Sequence, residues 1–503
     1  MGRTFFITGA TGLVGGSIAS RLLKEGNRVF CLARNRGTKN CRERVFDALS
    51  FWGDSDFRPD DRNLKVFEGD VEEDRFGLNR RNISELKDSG VSLIHSAACT
   101  SFDPRGRAIS LKTNLEGTRN MLETAKETGA REINYISTAY VAGTFGGSFS
   151  EDDFNAGQSF NNVYEESKYE AEKIVRRFNE QTKVRVNIFR PSIIMGDTVS
   201  GKTSTFNGLY AYIRAVSVLM RKKRNPSAGA TALRFECRSE VTKNIVPIDF
   251  VSRAISAIVQ AEADPGLGVY QLTNPAPPAF GWLNEVVHGI IGSPPLKLVP
   301  SLKEEAGSLS RAEVLIKNSV KAYAPYFFSE PSFNSSRTLA ALAARQLFFP
   351  QLDREYFSKI ISFHEKSLNN GENRHLSLIE LFEKRIRSSI GTEIIPGITS
   401  LTQDFILSMK DTGVNYYIRI EKGVLKKFAI NAKAEVKFRF VTKSSTFEEL
   451  LRATIRPQEA FLKKLVEIEG SVFDALSLST VFEKFFKIFR EEADAAGLAN
   501  IQR

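Results

Sequence analysis

Hydrophobic and polar positions change rhythm several times along the chain, most abruptly near the start. Thr4 to Thr8 is a short apolar run that stops at Gly9-Ala10-Thr11-Gly12-Leu13-Val14-Gly15-Gly16. A segment of helical period, Leu13 to Lys24, begins inside those glycines. Further strand-like runs follow at Arg28 to Arg34, Leu64 to Val71, Val91 to Ile94 and Glu132 to Ser137. Helical stretches separate them, one containing Asn114 and another running from Val163 to about Phe178. Strands alternating with helices at this spacing predict an α/β domain with a doubly wound parallel sheet.

The glycines suit a phosphate-binding turn. Gly9 permits the tight turn, Gly12 lets the backbone approach a pyrophosphate, and Gly15 lets the helix pack close to the strand. Phosphates would sit at the helix N-terminus, where unpaired N–H groups and the dipole favour negative charge. An acidic residue near the end of the second strand would bind the ribose 2′-hydroxyl of NAD(H). The chain has Ala33 and Arg34 there, with Arg36, Lys39 and Arg44 close behind. A guanidinium binds a 2′-phosphate that a carboxylate would repel, so NADPH is the expected cofactor. The alternative is a solvated basic loop. Gly69-Asp70-Val71 ends the third strand, where Asp70 could reach an adenine.

The second motif is Tyr164-Glu165-Glu166-Ser167-Lys168. Four-residue spacing puts Tyr164 and Lys168 on one helix face. An ammonium near a phenol is expected to lower its pKa, and the phenol can then give a proton to an oxygen that receives hydride. Thr138, at the end of the preceding strand, could hold the same oxygen; its neighbour Ser137 is the competing hydroxyl.

With the glycine turn, Gly69-Asp70, Asn114 and Thr138 in this order, residues 4 to about 196 resemble the extended short-chain dehydrogenase/reductase superfamily. The resemblance implies Tyr164 as acid/base, Lys168 as its partner and ribose ligand, and Thr138 as substrate-oxygen donor. It implies a cofactor site of Thr8, Gly9, Thr11, Gly12, Leu13, Val14, Gly15, Arg34, Arg44, Asp70, Val71, Ala97, Ala98, Asn114, Tyr164, Lys168, Pro191, Ser192 and Ile193. Substrate would meet Thr100, Ser101, Phe102, Thr138, Ala139 and Tyr140. Thr138 is preferred over Ser137 because it lies five residues before Gly143, as the active hydroxyl does in that superfamily.

Finer runs resemble the fatty acyl-CoA reductase family: His95 to Asp103, Tyr135 to Gly143, Arg190 to Asp197, Asn244 to Val251, Ala324 to Phe333 and Phe349 to Asp353. That similarity reaches about residue 366 and implies hydride transfer from NADPH to a thioester carbonyl. The product is an aldehyde, which a second hydride would carry to the alcohol. No acyl-enzyme is required, so Cys99 reads as a small buried residue. His95 reads as structural, because no other His or Cys shares a metal-ligand spacing with it; no metal site is expected. With no adenylating segment ahead of the first strand, the acid is expected to arrive activated on coenzyme A or an acyl carrier protein.

The 503 residues predict two or three domains. Four scattered cysteines without a CxxC pair fit a reducing cytoplasm, and the immediate start of the first strand leaves no room for a signal peptide. No apolar run reaches the roughly 18–20 residues of a membrane span. The net charge of +11 suits anionic lipid or an acidic thioester carrier, and no nucleic-acid motif is present. Within Phe206 to Asn225, Leu209, Ile213, Val216 and Leu219 or Met220 follow helical spacing ahead of Arg221-Lys222-Lys223-Arg224. This is either a helix of the substrate lobe or a basic amphipathic helix on a membrane surface.

After Lys366 the composition turns polar. The expected organisation is a reductase over 1–366 (cofactor core about 1–200, substrate lobe 200–366), a linker over 367–385, and a separate α+β domain over 386–503. Short strands are read at Tyr416 to Ile420, Lys427 to Ile430, Glu435 to Phe440 and Leu465 to Glu469. Capping boxes place helix starts at Thr446 and Thr480, the second ahead of Phe482, Phe485, Phe486 and Phe489. The run from Thr446 through Arg456-Pro457-Gln458-Glu459-Ala460-Phe461 to Ser471 resembles the sterol carrier protein-like lipid-binding domain, though its usual glycine-rich run is missing. That resemblance implies an apolar tunnel between a five-stranded sheet and helices; a small dimerisation domain is the alternative. The expected function is NADPH-dependent reduction of long-chain fatty acyl thioesters beside a lipid-binding domain. An NADP-dependent dehydrogenase of a sterol or other lipid alcohol and a non-catalytic lipid-transfer protein are the rivals.

Overall fold

The computed structural model describes residues 2–36, 39–53, 62–102, 107–182, 184–222, 233–262, 265–302, 309–369, 378–394, 401–432, 434–452 and 454–495. It divides into two compact units, residues 1–369 and 370–503.

Unit 1 is built on seven parallel strands: β1 (Thr4–Thr8), β2 (Arg28–Ala33), β3 (Leu64–Glu68), β4 (Ser92–His95), β5 (Glu132–Ile136), β6 (Arg185–Pro191) and β7 (Leu267–Leu272). Their order is β7-β6-β5-β4-β1-β2-β3. The order reverses between β1 and β4, whose ends align with Thr8 opposite His95. In such sheets the crevice beyond the strand ends at this reversal is where ligands bind.

Both faces of the sheet are covered, which is why its strands read as continuous apolar runs. Alternate side chains enter different cores. Phe5, Ile7, Val29 and Cys31 pack with Ile18, Ala19 and Leu22 of α1 (Leu13–Lys24). Phe6, Phe30, Leu32 and Phe67 lie on the opposite face, whose core includes Ala171, Val175 and Phe178 of helix Val163–Thr182. That helix runs about one turn beyond the expected end. The strand read as Leu64 to Val71 stops at Glu68, because Gly69 and Asp70 turn away.

The helix at Leu209–Lys222 belongs to the substrate lobe. Its Leu209, Ile213 and Val216 are buried in one cluster with Phe280, Leu283 and Phe357. That part of the apolar face is therefore covered by protein; the Leu219 and Met220 side chains are not among those described. Of the basic run after it, Lys223 and Arg224 lie outside the described residues, as does Asn225.

Unit 2 has five strands, β8 (Gln403–Met409), β9 (Asn415–Glu421), β10 (Val424–Ile430), β11 (Phe438–Thr442) and β12 (Val466–Gly470), in the order β10-β9-β8-β11-β12. β8 and β11 are parallel and the other pairs antiparallel. The central strand β8 was not read from the sequence. Helices Leu378–Ser388, Ser444–Leu451 and Ser479–Ala495 contribute Phe382, Phe447, Phe485, Phe486 and Phe489 to a core with Phe405, Tyr416, Phe428 and Phe438.

Four local expectations change. Residues 378–385, assigned to the linker, start a helix whose Phe382 and Ile386 are buried in the unit 2 core; residues 370–377 lie outside the described residues. The strand expected at Glu435 to Phe440 lies at Phe438–Thr442. The capping box at Thr446 does not form. The helix starts at Ser444, whose N–H and hydroxyl are held by Asp411, and Thr446 is buried within it. The last helix similarly begins at Ser479, one residue ahead of Thr480.

Candidate active site and a second cavity

Around the glycine turn the backbone is tightly constrained. Gly9 has φ +72°, and a Cβ there would lie 2.6 Å from the Ala97 nitrogen. A Cβ on Gly15 would lie 2.3 Å from the Gly9 carbonyl oxygen, so only glycine lets α1 pack this close. Gly12 is the N-cap of α1, without a capping side chain, and the first turn contains no acidic residue. The leading N–H groups thus keep their capacity for an anion.

Basic groups gather beside this turn. Arg44, on helix Cys41–Trp52, donates to the Arg34 carbonyl and to the Thr11 hydroxyl at 3.4 Å. Arg34 donates to Asp70 at 3.0 Å. Thr11, Arg34, Arg44 and Asp70, scattered over sixty residues of sequence, therefore share one rim. The set fits a phosphorylated dinucleotide: an uncapped helix N-terminus with two guanidinium groups beside it.

Thr8 and His95 tie the ends of β1 and β4 together, Oγ1 to Nδ1 at 2.9 Å. Burial, helped by the charge of Lys168, lowers His95 to about 3, so the ring is neutral and structural. The Ala97 N–H donates to Thr8 Oγ1 at 3.4 Å. Beyond Ala98, Cys99 is held at both backbone groups by Asn114, its N–H donating at 2.7 Å and its carbonyl accepting at 3.0 Å. Asn114 also donates to Ser167 at 2.8 Å. It sits in a π-helical turn, Lys112–Glu116, a form often found at functional sites.

Tyr164 and Lys168 lie on one face of their helix, as expected. Burial raises the phenol of Tyr164 to about 12, which the nearby Thr138 hydroxyl only partly offsets. The expected depression by Lys168 is not seen. Lys168 itself is buried and donates to Tyr135 Oη at 2.8 Å and to the Ile136 carbonyl at 2.6 Å. Burial lowers it to about 7, against the attraction of Glu172.

The two neighbouring hydroxyls point to different partners. Ser137 donates to Glu172 at 2.6 Å. Glu172 is fully buried, and Arg190 and Arg176 also bond to it, at 2.7 and 2.9 Å. Thr138 is the hydroxyl beside Tyr164, and it makes only long contacts with the backbone, to Tyr140 N at 3.3 Å and to the Pro191 carbonyl at 3.4 Å.

Of the residues expected to meet substrate, Phe102 stacks on Tyr164 with centroids 5.7 Å apart. Ala139 and Tyr140 are buried, Ser101 is half-buried and Thr100 is exposed; Asp103 lies outside the described residues. Val71 packs beside Gly117. Pro191 ends β6 with Ser192 and Ile193 just beyond it, and Leu13 and Val14 open α1.

Several residues around the site were not read from the sequence. Tyr323 and Tyr326 pack on Phe102 at 5.3 and 6.1 Å, and Tyr140 meets Tyr326 edge-on at 5.4 Å. Tyr326 donates to the buried Glu165, and Tyr140 donates to Glu330, which pairs with Lys243 at 3.0 Å. Glu172 was legible in principle, four residues after Lys168 on the same helix face. Tyr326 and Glu330 lie in the run Ala324 to Phe333 that carries the family resemblance, but nothing in that run places them at the site.

Unit 2 contains a cavity of about 80 Å³. Its walls include Phe405, Ile418, Phe440, Leu450, Phe482 and Phe486, and none of the residues around it is charged.

The sheet order and the glycine turn give unit 1 the architecture of a dinucleotide-binding α/β fold, with Thr138, Tyr164 and Lys168 grouped at its crevice. Residues 7–255 match the NAD-binding family described as male sterility protein. The chain is similar to a carboxylic acid reductase of Segniliparus rugosus, 25% identical over 57% of this chain and 26% of that protein. It is also similar to a non-reducing polyketide synthase of Aspergillus terreus, 24% identical over 60% of this chain and 11% of that protein. The chain thus spans about a quarter or less of these relatives. Among solved structures, the terminal reductase domain of the myxalamid biosynthetic pathway superimposes with a TM-score of 0.59, at 20% identity over 74% of this chain and 92% of that domain. The reductase domain of a non-ribosomal peptide synthetase from Mycobacterium tuberculosis gives 0.54, at 20% identity and the same coverage. Among the described residues no helix is long and apolar enough to cross a membrane.

Proposed function

We propose that the protein reduces long-chain acyl thioesters, carried on coenzyme A or an acyl carrier protein, with NADPH. The observation that carries the reading is the Thr138 hydroxyl acting on Tyr164 beside buried Lys168, with Ser137 diverted to Glu172. Similarity to a carboxylic acid reductase and to synthetase reductase domains supports a thioester over a sterol alcohol.

Gly9, Gly12 and the N-terminus of α1 would hold the pyrophosphate, and Arg34 with Arg44 the 2′-phosphate. The dinucleotide, when bound, supplies the hydride that the thioester carbon accepts. Tyr164, raised to about 12, keeps its proton at neutral pH and is ready to donate it. Its proton and the Thr138 hydroxyl would meet the carbonyl oxygen as negative charge develops there. Lys168, fixed by Tyr135 and the Ile136 carbonyl and lowered to about 7, can gain or lose a proton near neutral pH. The hemithioacetal then expels the thiol and leaves an aldehyde; a second round would give the alcohol.

The uncharged cavity of unit 2 supports a lipid-binding role for that unit. Each methylene buried there contributes roughly 0.8 kcal/mol, enough to retain a chain that water rejects.

The test follows NADPH absorbance and free thiol together, with palmitoyl-CoA as substrate. Thiol release in step with NADPH oxidation is expected, and Tyr164→Phe should abolish it while NADPH still binds. Reduction of NADP by a sterol, with no thiol release from the thioester, would overturn the reading.

A further inference from the structure

The short helix α8 (Pro457–Leu462) forms one wall of the unit 2 cavity through Pro457, Gln458 and Phe461. The next residue, Leu462, points the other way and is 79% exposed. Leu465 is 37% exposed, and Val466 again lines the cavity. Between the two leucines are Lys463, which pairs with Glu459 at 2.7 Å, and Lys464, both exposed, and the exposed Arg456 precedes the helix. Apolar surface therefore runs from the cavity wall out to a leucine turn that carries Lys464, with Arg456 at the other end of the helix.

That turn is fixed by its backbone. The N–H of Leu465 donates to the Ala460 carbonyl at 2.9 Å, and the N–H of Lys464 to the Phe461 carbonyl at 2.9 Å. This is the paired closure of a Schellman motif, with Lys464 at φ +55° in the position that usually takes glycine. A lysine there costs the chain more than a glycine would. Gln458 anchors the other end of α8, donating to Glu483 at 3.2 Å.

We propose that the Leu462–Leu465 turn is the surface by which unit 2 docks on an anionic lipid bilayer, bringing the cavity wall to the source of its ligand. The surface rests on the reading of unit 2 as lipid-binding. The leucines would enter the headgroup boundary while Lys464 and Arg456 meet anionic headgroups. An acidic protein partner would need complementary apolar sockets for two leucines, whereas a bilayer accepts them without any.

The experiment uses the full chain, phosphatidylcholine vesicles with and without phosphatidylserine, and in parallel a fluorescent fatty acid added from solution. Cosedimentation should be stronger with phosphatidylserine and should weaken with salt. Leu462→Asp should lower partitioning by about tenfold or more, the loss expected from one leucine burial. Fatty-acid uptake from solution should be unchanged in that variant. Val199→Asp, at an equally exposed site in unit 1, is the control and should partition normally. Equal partitioning of Leu462→Asp and the parent chain, or no vesicle binding by either, overturns the proposal. Vesicle binding that depends on Leu462 but is accompanied by no fatty-acid uptake would keep the surface and remove the lipid-cavity reading. Capture of a purified acyl carrier protein through Leu462, without vesicle binding, would reassign the surface and also overturn the proposal.

Discussion

Replacing two adjacent hydroxyls should have opposite consequences. Ser137 donates to Glu172 Oε2 at 2.6 Å, and the only other donor on that oxygen among the described contacts is Arg190 Nε at 3.2 Å. A hydrogen bond to a charged group contributes about 1.5–3 kcal/mol. Ser137→Ala should therefore cost about 2 kcal/mol of stability, with Glu172 buried and short of a donor. Its kcat should stay near the parent value, since the hydroxyl faces away from Tyr164. Thr138→Val preserves shape and loses only contacts of 3.3 and 3.4 Å to backbone, a cost below about 1 kcal/mol. It also removes a donor to the developing oxyanion, which should lower kcat by about 10²–10³-fold. Urea unfolding of each variant supplies the first number, and thiol release per NADPH at saturating substrate supplies the second. If Ser137→Ala loses the activity and Thr138→Val keeps it, the assignment of the oxyanion donor is refuted.

Other outcomes follow from the same geometry. Arg34→Ala combined with Arg44→Ala should raise the KM for NADPH by about 10–100-fold and leave NADH nearly unaffected, because charge-assisted bonds to a 2′-phosphate are lost; equal effects on both cofactors would argue against a 2′-phosphate site. Lys168 binds its proton less tightly when folded, about 7 against 10.5 for a free side chain, so the unfolded chain carries more proton across that window. Its contribution to stability therefore rises with pH from about 7 upward, and unfolding measured across pH should show a shallower rise in Lys168→Met. Cys99→Ser should retain turnover, because Cys99 is held through its backbone by Asn114 and no acyl-enzyme is required; trapping of an acyl group on Cys99 would contradict this.

What was legible in the sequence was local. The turn at Gly9, Gly12 and Gly15 is specified within eight residues by steric limits on the backbone, so it could be read directly. The four-residue spacing of Tyr164 and Lys168 is set by helix geometry in the same way. Where the reading slipped, a distant group had taken over. Thr446 has the form of a helix cap, but Asp411 holds Ser444 and the helix starts earlier. Polar composition after Lys366 suggested a linker as far as residue 385, although Phe382 and Ile386 had a core waiting in β8 and its neighbours. The phenol of Tyr164 was expected to be lowered by Lys168, and burial reverses the direction.

The sequence by itself determined an α/β unit with a phosphate turn, a basic residue where NAD-binding units place an acid, and a tyrosine and lysine on one helix face. Those features depend on backbone sterics and periodicity over a few residues. Only the tertiary structure decided which hydroxyl faces Tyr164, because that depends on Glu172 and Arg190 claiming Ser137 from another helix and strand. It alone brought Tyr326 and Glu330 beside Tyr140, and it alone opened the cavity behind α8. Burial and hydrogen-bond choice are properties of the packed chain, and no short stretch of residues encodes them.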